Sequence, residues 1–119
     1  MKLLIIDDSQ MMRKVIERGL AEKKFTLVGS AADGVEGLRI FTETLPDLVT
    51  LDIAMPKMDG LTCLVEMRKI NKDAKIIILT SHTDNATASD AMARGASGVL
   101  GKPFTAAKLI EKVDEVFGK

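Results

Sequence analysis

Five short apolar runs, at 3–6, 27–28, 48–51, 76–79 and 98–101, divide the chain, and each is continuous rather than alternating. Continuous runs mark strands that are covered on both faces. Five segments with helical spacing lie between and after them. Met12, Val15, Ile16, Gly19 and Leu20 share one face of a first helix that Ser9 starts. Val35, Leu38, Phe41 and Leu45 make a second, stopped before Pro46, and Gly60, Leu64, Met67 and Ile70 mark a third. The fourth, about residues 85–94, is rich in Ala, Thr and Ser and ends at Gly95. Leu109, Ile110, Val113, Val116 and Phe117 give the fifth, with Thr105 at its N-cap. Strict strand–helix alternation predicts right-handed βαβ crossovers, hence an α/β fold with a parallel sheet between two helical layers.

At 119 residues the chain has room for one domain, predicted to span 1–119 without linker or repeat. Its 17 basic and 17 acidic residues cancel, which removes the electrostatic footprint of a general nucleic-acid binder. No Trp or Tyr and only four Phe leave no stacking platform for bases or flavins. Cys63 stands alone, so neither an internal disulfide nor a cysteine-cluster zinc site is available. The first apolar run meets Asp7-Asp8 too soon for a signal peptide or a membrane span. A soluble, cytoplasmic protein is expected, with no nucleic-acid or membrane partner.

In a parallel sheet all strand C-termini lie along one edge, and ligands bind there near the topological switch point. Asp7 and Asp8 follow the first run, Asp52 the third, Thr80 and Ser81 the fourth, and Lys102 the fifth. Three carboxylates, hydroxyls and an ammonium therefore converge. Carboxylates held together repel one another unless a proton or cation neutralises them. Oxygen ligands with no His or Cys nearby favour a hard cation such as Mg²⁺ over zinc.

Ile5-Ile6-Asp7-Asp8, Asp47-Leu48-Val49-Thr50-Leu51-Asp52, Met55-Pro56-Lys57-Met58-Asp59-Gly60, Leu79-Thr80 and Lys102-Pro103-Phe104 resemble the receiver domain of two-component response regulators, of the stand-alone chemotaxis type. The likeness runs from about residue 2 to 117, and all five motifs stand in order at the expected strand ends. It implies a flavodoxin-like sheet of five strands in the order 2-1-3-4-5 with five helices. It implies that Asp52 takes a phosphoryl group from a histidine kinase, forming an acyl phosphate. Asp8 and Asp52 would then ligate Mg²⁺ directly with the backbone carbonyl of Ala54, Asp7 would act through a metal-bound water, and Thr80 and Lys102 would each hold a phosphoryl oxygen. The Lys102–Pro103 peptide bond would be cis. The resemblance further implies a monomer whose phosphorylated form binds a protein effector on the face of helix four, strand five and helix five. Chemotaxis or motility control is the expected setting, with a phosphorelay intermediate as the alternative. No output domain is expected, because Lys119 follows the fifth helix directly.

Other classes fit less well. A phosphatase with an Asp nucleophile needs a second acid two residues on, where Ala54 stands; a flavin carrier needs a phosphate loop where Asp7-Asp8 would repel it. A receiver that serves only as an interaction module would not need the full set of five polar residues. Asp59 reads as a turn residue and N-cap, Lys57 as a solvated loop lysine, Cys63 as helical packing, and Met11 and Met12 as core or rim packing. His82, two residues past Thr80, stands where the family tunes the lifetime of its phosphoryl group. Three residues before Lys102, Val99 replaces the aromatic that swings inward in many receivers. The switch is therefore expected to run through loop 81–84 and the weakly docked, alanine-rich fourth helix.

Overall fold

The structure, a computed structural model, describes residues 1–81 and 85–118. Strands β1 (Lys2–Ile6), β2 (Thr26–Ala31), β3 (Leu48–Asp52), β4 (Lys75–Thr80) and β5 (Gly98–Gly101) alternate with helices α1 (Gln10–Gly19), α2 (Gly34–Thr44), α3 (Gly60–Ile70), α4 (Asn85–Ala93) and α5 (Ala106–Val116). All strand pairs are parallel, and the sheet order is β2-β1-β3-β4-β5. This is the flavodoxin-like arrangement that the resemblance implied.

Local chemistry starts the helices where the sequence placed them. Ser9, Asp33, Asp59 and Thr105 each take an extended backbone and accept a hydrogen bond from the N–H three residues on, which satisfies one of the free donors of the first turn. Gly95 closes the end of α4 with φ +109, a value that suits a residue without a Cβ.

Side chains alternate across the sheet and build two cores. Leu4, Ile6, Val49, Leu51, Ile76 and Ile78 point to one face and pack with Phe41 of α2, Cys63, Leu64 and Met67 of α3, and Ala91 of α4. Leu3, Ile5, Leu48, Ile77 and Leu79 point to the other, against Ile16 of α1 and Leu109 and Val113 of α5. Every residue of β3 is buried, which is why the central strands read as unbroken apolar runs.

Two expectations need correction. β2 is longer than the 27–28 run, because Gly29, Ser30 and Ala31 continue it at an edge where little burial demands large apolar side chains. The helical faces are also narrower than their apolar spacing implied: Val15, Val35, Leu45 and Ile70 are between 42% and 51% exposed. Val35 lies in the first turn of α2 and Leu45 just beyond its end, where the chain turns away with φ +46. Leu20 is buried as expected, but as the C-cap of α1 rather than within it.

Candidate functional site

The sheet brings its polar residues together at one edge. Asp7 and Asp8 follow β1, Asp52 ends the adjacent β3, Thr80 ends β4, and Lys102 follows β5. One carboxylate oxygen from each of Asp7, Asp8 and Asp52 lies within 4.8 Å of the others. Asp7 is fully buried and Asp52 is 6% exposed, whereas Asp8 opens to solvent. The Lys102 ammonium bridges the two buried acids, 3.0 Å from Asp7 Oδ2 and 3.2 Å from Asp52 Oδ1. Thr80 is buried, and its carbonyl accepts from the Lys102 N–H at 2.7 Å, which fixes the backbone from which Lys102 reaches inward. The Lys102–Pro103 bond is cis.

The two buried acids are held differently. Asp7 Oδ1 accepts from the Ser9 N–H at 2.9 Å and its carbonyl accepts from Arg13 Nη1 at 2.7 Å, so both its oxygens have fixed partners once Lys102 is counted. Sequence reasoning missed these supports, because nothing in a periodicity marks Arg13 as reaching back to the end of β1. Burial pushes the Asp52 carboxyl above the ordinary carboxylate value, with the Asp7 charge adding to the shift and Lys102 opposing it. For Lys102, burial works against the charge, but the hydrogen bond and charge of Asp7, with Asp52, outweigh it and raise its pKa.

Three carboxylates against one ammonium leave a formal charge of −2. The donors are all oxygen and one of them faces solvent. A hard divalent cation fits that set: its charge would balance the residue, and its ligands need not all come from the protein. Zinc or copper would want nitrogen or sulfur here.

Ala54 lies in the β3–α3 loop and is exposed. That loop presses close to the site: a Cβ on Gly60 would stand 2.2 Å from the Asp52 carbonyl oxygen, so only glycine lets α3 begin there. Asp59 caps α3 and Cys63 is buried, both as expected. Met12 packs against the core and Met11 is exposed. Val99 packs half-buried against the α2–α4 face. His82, with loop residues 83 and 84, lies outside the described residues. A cavity of about 250 Å³ lined by Phe25, Val113 and Phe117 belongs to the amino edge, at the other end of the sheet from the carboxylates.

Fold and site together define a receiver-type signalling domain: residues 3–114 match the response regulator receiver domain, and the chain belongs to that family. Over nearly its whole length it is similar to stand-alone chemotaxis proteins. The chemotaxis protein CheY of Bacillus subtilis is 36% identical over 114 residues, covering 96% of this chain and 95% of that protein. CheY of Listeria monocytogenes is 36% identical over 115 residues, with 97% of each covered. A solved chain from the CheX–CheY–BeF3–Mg complex of Borrelia burgdorferi superposes with a TM-score of 0.95 at 34% identity, covering 99% of this chain and 90% of that one. The family is one of signalling proteins rather than classical enzymes. Among the described residues no helix is long and apolar enough to cross a membrane.

Proposed function

We propose that this chain is a cytoplasmic response regulator in which Asp52 accepts a phosphoryl group from a phosphohistidine of a partner kinase. The observation that carries this reading is the buried Asp52 carboxylate, 3.2 Å from the Lys102 ammonium and ringed by Asp7 and Asp8. An Asp52 oxygen attacks phosphorus, the P–N bond to the donor imidazole breaks, and that imidazole leaves with the electron pair and takes up a proton. Lys102 then holds a phosphoryl oxygen, and the Thr80 hydroxyl donates to another. Asp8, Asp52 and the Ala54 carbonyl would hold Mg²⁺, with Asp7 acting through a water, and the ion would supply positive charge for the phosphoryl oxygens.

The output is protein binding on the face of α4, β5 and α5, in chemotaxis control. Two features support that surface. α4 buries only Ala91, a small side chain, so it is weakly docked beside the site. Val99 cannot make an aromatic swing, which leaves α4 as the moving part. Phosphorylation with a phosphohistidine donor or acetyl phosphate, read by mass, tests the assignment: Asp52→Asn is expected to lose all labelling. Full labelling of that variant at the parent rate would sink it.

A further inference from the structure

Lys57 sits in the β3–α3 loop with φ +68, in the left-handed region that a residue carrying a Cβ enters reluctantly. The Met58 N–H donates to the Pro56 carbonyl at 2.7 Å, which closes a three-residue γ-turn around Lys57. Such a conformation persists only where its surroundings hold it. On one side the Lys57 ammonium lies 3.5 Å from Asp33 Oδ2, although its side chain is 67% exposed. Asp33 Oδ1 accepts from the Glu36 N–H at 2.8 Å, so one carboxylate joins the start of α2 to the loop. Gly34 beside it leaves no gap: a Cβ there would stand 2.3 Å from the Met58 carbonyl oxygen. On the other side the Gly60 N–H donates to the Ile53 carbonyl at 2.8 Å. Ala54 lies within this pinned loop and has no polar side chain with which to fix its own carbonyl.

We propose that Asp33 and Lys57 form a latch between α2 and the β3–α3 loop that positions the Ala54 carbonyl for the cation. They are positioning residues, and their role rests on the reading above that this carbonyl is a metal ligand.

Magnesium chloride titrated into the full chain, followed by calorimetry, tests the latch with Asp33→Asn and Lys57→Met. Asp33→Asn keeps an oxygen to cap α2 and removes the charge; Lys57→Met keeps the stem and removes the ammonium. Acting only through the field of a charge, the first would weaken Mg²⁺ binding and the second, which takes a cation away from a cation site, would tighten it. Positioning requires both to weaken binding, by roughly two- to fivefold, the range an exposed ion pair can transmit. The double variant is then no weaker than either single, since both remove the same contact. Melting in EDTA, which reports the fold without metal, is expected to shift little. Unchanged affinity, tightening by Lys57→Met, or additive losses in the double variant overturns the latch. A parent chain that binds no Mg²⁺ overturns the metal reading, and the latch with it.

Discussion

Each edge of the sheet is organised by one long cationic side chain, and the two do opposite things. At the amino edge Arg68 of α3 donates to the carbonyls of Gly95 at 2.7 Å and Ala74 at 2.6 Å, to those of Asn71 and Lys72 at 3.3 Å, and to Ser97 Oγ at 3.2 Å. Ser97 Oγ in turn accepts from the Ile76 N–H at 3.0 Å. Here a cation meets neutral acceptors that would otherwise be left bare, and the starts of β4 and β5 are tied to α3. At the carboxyl edge Lys102 meets two of three carboxylates, and negative charge remains. One edge is complete within the chain; the other keeps negative charge that no side chain there balances. Stability and function are thus set at opposite ends of the same strands.

Substitutions at the two cations should show the contrast most strongly. Lys102→Met leaves the fully buried Asp7 without its counter-charge, and breaking a buried pair in this way costs about 3 kcal/mol. Urea unfolding should show that loss without Mg²⁺ and a smaller one with it, because the cation substitutes for part of the missing charge. Arg68→Ala strands several carbonyls at once and should cost about 2 kcal/mol, with no recovery on adding Mg²⁺. Equal responses of the two variants to Mg²⁺ would erase the distinction between the edges.

Removing a carboxylate from the unfinished edge should instead stabilise the chain. Folding raises the Asp52 pKa above its ordinary value of 3.8, mainly through burial and then the Asp7 charge. Between those two values the native state holds a proton that the unfolded chain has lost, so stability falls as pH rises through that window. Above the folded pKa the penalty is complete and constant. Asp52→Asn lacks it, so at pH 7 the variant should be the more stable of the two. Its advantage should shrink as the pH drops through the raised value towards 3.8. Thermal melts across that range check both sign and window.

Between the edges lies a smaller test. Thr50, mid-way along β3, buries a hydroxyl that finds no hydrogen-bond partner among the described residues. Thr50→Val keeps the branched shape and should raise stability by up to about 1 kcal/mol without changing phosphorylation. A loss would mean that the hydroxyl has a partner in solution.

The carboxyl edge was the more legible of the two in the sequence. Topology sends every strand C-terminus there, so Asp7, Asp8, Asp52, Thr80 and Lys102 could be gathered from the ends of apolar runs alone. The amino-edge network has no such rule behind it. Arg68 reaches acceptors 27 and 29 residues away, at Gly95 and Ser97, and nothing local distinguishes it from Lys69 beside it. Periodicity also overstated the buried faces at Val15, Val35 and Ile70, since helical spacing records which residues could face the sheet and not how far the sheet extends beneath them. Edge strand β2 was underestimated for the opposite reason, since a strand with one neighbour needs few large apolar residues.

Cys63 has a practical consequence. Its thiol is buried, donates to the Gly34 carbonyl at 3.6 Å, and is pushed up to about 12 by burial, with Asp59 and Glu66 adding. At neutral pH it is therefore a protonated sulfur out of reach of electrophiles. The chain also lacks Trp and Tyr, so it has almost no near-ultraviolet emission of its own. A single Ala86→Cys or Ala93→Cys substitution on exposed positions of α4 would carry the molecule's one reactive thiol and, once labelled, its one fluorophore. The native sequence thus supplies a dark, chemically silent background against which the displacement of one helix can be timed.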